Sequence, residues 1–128
     1  MCGRQKFYIC ENCGNMVGLI QDEGIPLVCC GELMTELVPN TVEASAEKHL
    51  PVVSVSGGRV DVKVGSAPHP MEDAHHITFV YLETEHGGQR KCVAAGGEPK
   101  ASFGLIDDAP VAVYAYCNLH GLWKTEHA

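Results

Sequence analysis

The chain has 128 residues, 45% of them apolar, which fits one domain or one domain with a small appendage. Its net charge of −7 argues against a nucleic-acid partner, because binding phosphates needs a basic face. The sequence has no apolar run long enough to span a membrane, and no apolar stretch after its first basic residues that would form a secretory signal. We therefore expect a cytoplasmic protein that does not bind a membrane.

The seven cysteines are many for a cytoplasmic chain, and they indicate metal binding. Disulfides are rare in the cytoplasm, where clustered thiols more often bind metal ions or carry out redox chemistry. Four of the seven lie near the N-terminus, at Cys10, Cys13, Cys29 and Cys30. The strand-like runs around them, residues 6–9, 16–20 and 25–28, form a segment too short to fold unaided. Four thiolates at these spacings fit tetrahedral zinc or iron.

The identity of this first metal stays open on spacing alone. A structural zinc ribbon normally presents a second Cys-x2-Cys, whose two spacer residues let both sulfurs face the ion. Cys29 and Cys30 are adjacent and must bind one ion from neighbouring positions. This crowding favours a distorted iron site that carries an electron, with structural zinc as the alternative.

From residue 50 onward the pattern predicts β-strands only. Gly57-Gly58 separates two valine-rich runs, which is a strong signal for a two-residue hairpin. The predicted strands are residues 52–56, 59–64, 77–83, 91–94, 101–106 and 111–116. Short strands at this even spacing predict an antiparallel sandwich. We place the domain boundary near Pro39, which gives a first domain of residues 1–37 and a second of residues 38–128.

A second set of metal-binding side chains falls within the predicted sandwich. Its members lie on predicted loops or strand ends, and they are His49, His69, His75, Cys117 and His120. Taken singly, each is more simply a surface histidine or a small buried hydrophobe, but together they suit one transition metal. Spacing does not choose between His75 and His76, because neighbours on a strand face opposite ways. Cys92, inside a predicted strand, is most simply a core residue.

The order of these motifs resembles that of the desulfoferrodoxins, the two-iron superoxide reductases. The matching motifs are Cys-x2-Cys with a later Cys-Cys, then Glu-Lys-His, His-Pro-Met-x3-His and Cys-Asn-x-His-Gly-x-Trp, which together cover nearly the whole chain. The resemblance implies an all-β protein with a small desulforedoxin-like metal-binding N-terminal domain and an immunoglobulin-like antiparallel β-sandwich. It also implies a homodimer.

The resemblance further implies two iron ions per chain. The first is an Fe(Cys)4 centre on the four cysteines of the first domain. The second is an Fe(His)4Cys centre, with His49, His69, His75 and His120 around the iron and Cys117 on its axis. The family pattern selects His75 over His76, and it assigns no role to Cys2.

The implied activity is one-electron reduction of superoxide to hydrogen peroxide without formation of dioxygen, with rubredoxin as the electron donor. Four imidazoles and one thiolate leave the sixth position of the iron open, and a thiolate opposite that position pushes electron density onto the metal. The resemblance places Lys48 beside the open position to attract the anion, and Glu47 where it can bind ferric iron once peroxide has left. Without the resemblance, both are more simply solvent-exposed charges.

Two other classes of function fit parts of the pattern. The chain could be a non-catalytic, rubredoxin-like electron-transfer protein whose second metal site is structural. It could also be a binding module stabilised by structural zinc, although adjacent cysteines and many histidines are unusual in that class. An open metal position that binds small anions would exclude the electron-transfer protein, and zinc in both sites would favour the binding module.

Overall fold

The computed structural model describes residues 3–41 and 49–127. Twelve strands make up the named elements of these residues, and the predicted all-β class is confirmed. The chain divides after Val38 into two compact units. The first unit contains β1 (Lys6–Ile9), β2 (Met16–Leu19), β3 (Val28–Cys29), β4 (Glu32–Leu33) and β5 (Thr35–Glu36). The second contains β6 (Pro51–Ser56), β7 (Arg59–Val64), β8 (Ile77–Thr84), β9 (Gly87–Cys92), β10 (Lys100–Gly104), β11 (Pro110–Cys117) and β12 (Gly121–Glu126).

The first unit has almost no hydrophobic core. Its strands form an antiparallel sheet in the order β2-β1-β5 and a separate hairpin of β3 and β4. Among its described residues only Phe7 and Cys10 are buried, at 5% and 3% exposure. So little buried apolar surface does not offset the chain entropy lost on folding. Another source of stability is therefore required in this unit.

The second unit is an immunoglobulin-like sandwich of two antiparallel sheets, ordered β10-β7-β6 and β12-β11-β8-β9. The valines of β7 alternate with polar residues, so one face of this strand points inward. Strands from both sheets share one core, made of Val60, Val62, Val64, Ile77, Val80, Leu82, Phe103, Val113, Ala115 and Cys117. Gly57 and Gly58 have φ angles of 51° and 80°, as the predicted two-residue hairpin requires.

The sequence pattern did not predict every feature of this sheet. Strand β12 was not predicted, and β9 begins at Gly87 although Gly87-Gly88 is typical of a turn. Cys92 lies in a strand but is exposed, so its assignment to the core is wrong. The reason is that β9 is an edge strand that pairs only with β8, and Cys92 is its last residue. No helix in the described part of the chain is long and apolar enough to cross a membrane.

Candidate metal centres

The first unit brings its four predicted cysteines together into one cluster, the four-cysteine group (Cys10, Cys13, Cys29 and Cys30), whose sulfurs all lie within 4.8 Å of one another. The Sγ atom of Cys29 is 3.7 Å from that of Cys13 and 4.0 Å from that of Cys30. A tetrahedral site with metal–sulfur bonds of about 2.3 Å has sulfur–sulfur edges of about 3.8 Å. The group therefore fits a metal ion.

A tight turn explains how adjacent cysteines can serve one ion. Cys29 pairs with Glu32 across the β3–β4 hairpin, so Cys30 and Gly31 are its two turn residues. Their φ angles are 54° and 74°, and the first of these is unusual for a residue with a side chain. A left-handed non-glycine residue costs about 1–3 kcal/mol and persists where the surroundings enforce it. The left-handed turn brings the thiols of Cys29 and Cys30 to the same side of the chain. Two adjacent cysteines can therefore bind one ion without the crowding expected from the sequence.

The electrostatics of the four-cysteine group call for a cation. The backbone N–H of Cys13 donates to Cys10 Sγ at 3.5 Å and lowers the pKa of the Cys10 thiol to about 6. The neighbouring Cys10 sulfur raises the pKa of Cys29 to about 12, and Cys13 raises the pKa of Cys30. The Cys10 thiolate thus forms easily, whereas the thiols of Cys29 and Cys30 resist ionisation. Four thiolates coexist here only when a bound metal neutralises them.

In the second unit four histidine rings form a near-square. Neighbouring ring centroids are 4.9 Å apart for His49–His69, 4.7 Å for His69–His75, 5.0 Å for His75–His120 and 4.9 Å for His120–His49. The diagonal from His49 to His75 is longer, at 6.5 Å. Neighbouring rings are steeply inclined to each other, whereas the opposite pair is inclined by only 35°. His49 therefore lies opposite His75.

Cys117 completes this arrangement of four histidines and one cysteine, which we call the histidine–cysteine group. Its Sγ atom lies within 4.8 Å of donor atoms on His49, His69 and His75, and 3.7 Å from Nδ1 of His120. His49 Nε2 and His120 Nδ1 are 3.1 Å apart. Adjacent nitrogens on one octahedral metal ion, at bonds of about 2.1 Å, are separated by about 3.0 Å. The spacing of these five donors therefore fits a single transition-metal ion.

The protonation and orientation of the histidines also suit a metal. The Nε2 atoms of His69 and His75 are buried and have no hydrogen-bond partner among the described residues, a costly state that a metal would relieve. Nδ1–H of His69 donates to the carbonyl of Pro70 at 2.7 Å, which leaves the Nε2 lone pair free. Burial lowers the pKa of His69 to about 4 and also lowers that of His75. Both rings are therefore neutral near pH 7, as ligands must be.

Trp123 supports two members of the group at once. Its ring stacks on His49 at 4.8 Å and 21°, and its Nε1–H donates to the carbonyl of His120 at 3.1 Å. Trp123 is only 5% exposed, so it is packed in place. The sequence contained this residue at the end of the Cys-Asn-x-His-Gly-x-Trp motif but gave it no function.

Of the remaining candidates, the structure describes His76 and Cys92, and both lie outside the two groups. His76 turns away and places Nδ1 3.0 Å from the carbonyl of Glu72. Glu47 and Lys48 lie outside the described residues, as does Cys2. Cys92 is exposed, with Arg90 Nη1 3.6 Å from its sulfur. The two predicted metal-binding groups, one of four cysteines and one of histidines with a cysteine, are thus both present.

A β-sandwich with a histidine–cysteine group, in a chain that also carries a small four-cysteine unit, defines the class of two-centre iron proteins. The chain belongs to the desulfoferrodoxin family, whose profile matches residues 41–126. The desulfoferrodoxin of Syntrophotalea carbinolica is 43% identical over 98% of this chain and 99% of its own length. That of Nitratidesulfovibrio vulgaris is 39% identical over the same shares.

Solved structures agree with this assignment. The superoxide reductase of Treponema pallidum aligns with a TM-score of 0.84 and 34% identity, covering 96% of this chain and 98% of that one. The one-iron superoxide reductase of Giardia intestinalis aligns with a TM-score of 0.55 and 34% identity, covering 63% of this chain and 97% of that one. The resemblance inferred from the motifs is confirmed at the level of the family.

Proposed function

We propose that this protein is a superoxide reductase, which reduces superoxide by one electron to hydrogen peroxide and forms no dioxygen. The observation that carries the proposal is the near-square of four imidazoles with the Cys117 thiol beside it. Relatives of the same fold from Treponema pallidum and Giardia intestinalis are superoxide reductases, which supports the same reaction here. Each turnover consumes one superoxide, one external electron and two protons, and it releases one hydrogen peroxide.

The five donors of the histidine–cysteine group hold the catalytic iron in this proposal. Ferrous iron bound there would supply one-electron chemistry, and five protein ligands would leave room for a small anion to bind. Imidazole is a neutral donor when it binds a metal, so the cysteine would be the one anionic ligand of the group. Cys117, fully buried at 0% exposure, donates electron density from one side of the square, as thiolate ligands do in certain haems. Its burial also keeps water away from the sulfur.

The four-cysteine group serves in this proposal as an auxiliary Fe(Cys)4 centre that accepts an external electron. We propose rubredoxin as the donor and a homodimeric assembly, both of which rest on the family resemblance, and a cytoplasmic location, which rests on the sequence pattern. Glu47 is proposed to bind ferric iron once peroxide has left, on the same ground. Water is proposed as the immediate proton source.

Lys48 is proposed to attract superoxide, and Lys48→Ala is expected to slow superoxide capture by about 10-fold at low salt. The iron content should not change, and the rate should depend less steeply on ionic strength because one steering charge is gone. Stopped-flow or pulse-radiolysis rates at several salt concentrations measure both effects. Lys63→Ala, which removes an exposed lysine from β7, is the matched control. A low-salt rate equal to that of the wild type would remove Lys48 from the mechanism.

The function itself is tested by metal analysis followed by a superoxide assay. Protein made with ample iron should contain two irons and no zinc per chain. It should then yield one hydrogen peroxide per superoxide consumed, without dioxygen, when a reductant is supplied. Zinc in both groups would favour a structural module. Two irons without reaction, and with a second iron that binds no small anion, would favour the electron-transfer protein.

A further inference from the structure

We propose that Asn118 is a positioning residue that fixes His75 relative to Cys117. The proposal rests on the iron site proposed at the histidine–cysteine group and extends it to a side chain with no assigned role. Asn118 follows Cys117 directly, and its side chain bonds to the residues on both sides of His75. Its Oδ1 accepts from the N–H of His76 at 2.8 Å, and its Nδ2 donates to the carbonyl of Ala74 at 3.0 Å.

A break in the β-ladder explains why a side chain is needed here. Strands β11 and β8 pair regularly from Ala112 to Tyr116, after which the register shifts so that Cys117 faces Ile77. The N–H of Asn118 still donates to the carbonyl of His76, at 3.2 Å. In a regular antiparallel pair, the N–H of His76 would donate in turn to the main-chain carbonyl of Asn118. Here it donates to Oδ1 of the Asn118 side chain instead, so this side chain continues the ladder past the irregularity.

The other histidines have different supports. Trp123 stacks on His49 and bonds to the backbone of His120, and the carbonyl of Pro70 orients the ring of His69. The segment around His75 is bonded by the backbone of Glu72 and by Asn118. Since His75 Nε2 is buried without a partner among the described residues, a small rotation of this segment would misplace a ligand atom. Asn118, which follows Cys117 in the chain, thus holds the backbone on both sides of His75.

Only an amide satisfies both side-chain contacts of Asn118. Alanine removes the acceptor for His76 and the donor for Ala74. Aspartate keeps the acceptor but turns a second oxygen toward the Ala74 carbonyl, where two acceptors repel each other. We therefore expect Asn118→Asp also to release iron faster than the wild type. Because this variant keeps the length of the side chain, it tests the loss of the Nδ2 donor separately from truncation.

The experiment uses the full-length iron protein and follows the transfer of iron to a chelator. Asn118→Ala should release iron from the histidine–cysteine group about 10–100-fold faster than the wild type, as loss of a residue that orients a metal ligand typically does. The thiolate-to-iron absorption band of the oxidised second site should shift, whereas absorption of the four-cysteine centre should not. Gln89→Ala is the matched control, since it removes an amide that donates to the carbonyl of Gly104 outside both metal groups, and its release rate should equal that of the wild type.

A double-mutant cycle with His75→Ala separates positioning from general loosening. If Asn118 acts through His75, adding Asn118→Ala to His75→Ala should not accelerate iron release further. In metal-free protein, hydrogen exchange of the His76 amide should be faster in Asn118→Ala, because its acceptor is gone. An unchanged release rate, or full acceleration in the His75→Ala background, would overturn the proposal. Wild-type protein that holds no iron at the second site would overturn the proposed function itself, and this role with it.

Discussion

Cys117→Ser is expected to abolish superoxide reduction while the sandwich stays folded. A serine hydroxyl is not ionised near neutral pH, so the variant loses the anionic donor beside the imidazole square. The position is fully buried within the shared core, and an unpaired hydroxyl there should lower the free energy of unfolding by about 1–3 kcal/mol. Superoxide consumption, iron content and chemical denaturation of the same samples measure the three effects.

Cys92→Ser is the control for this experiment, because it makes the same change at an exposed sulfur outside both metal groups. It should match the wild type in activity and stability. Turnover by Cys117→Ser at the wild-type rate, with iron bound, would show that a thiolate is not required. Loss of turnover together with loss of all iron from the second site would instead make Cys117 essential for holding the metal.

Removing the metal from the four-cysteine group is expected to unfold the first unit and leave the second folded. The first unit buries only Phe7 and Cys10 among its described residues, and its thiols oppose one another's ionisation. Binding of a structural metal to a small thiolate site contributes about 10–16 kcal/mol to folding in zinc-finger peptides. The sandwich has a core of its own and does not need that contribution.

Amide hydrogen exchange of Cys13→Ser measures this difference along the chain. Backbone amides of β1 and β2 should lose protection, while those of β8 and β11 should keep it. Superoxide reduction at the second site should continue when an artificial reductant is supplied, as the auxiliary role of the first centre requires. Unchanged protection in β1 would show that the first unit folds without its metal.

The features that the sequence predicted are those that local pattern controls. Alternating valines place β7 with one face inward, and Gly57-Gly58 marks the hairpin before it. The start of strand β9 escaped prediction because Gly88 carries no side chain to reveal a pattern. In the fold, Tyr81 covers this glycine so closely that a Cβ atom there would meet its ring. That packing partner lies on another strand, and single-sequence patterns do not contain it.

The metal groups show the same division between local and tertiary information. Residue type and spacing identified the cysteines and histidines, and the family pattern chose His75 over His76. Spacing did not indicate that His49 lies opposite His75, because this depends on which loops meet at one end of the sandwich. It also did not indicate the contacts of Asn118, since its partners are main-chain atoms more than forty positions earlier. A hydrogen bond to a main-chain atom does not depend on which side chain that residue carries, so the sequence does not reveal it.

The histidine–cysteine group draws its members from both layers of the sandwich. His49 lies just before the start of β6 and His69 follows β7, in the three-stranded sheet, whereas His75 precedes β8 and Cys117 ends β11, in the four-stranded sheet. A metal bound there is a cross-link between the layers, comparable to the disulfide that joins the sheets of antibody domains. Unlike that of a disulfide, its contribution to stability depends on the concentration of free metal and rises with the logarithm of that concentration. Chains that lack this metal are therefore expected to unfold, and to be cleaved by proteases, more readily than chains that hold it.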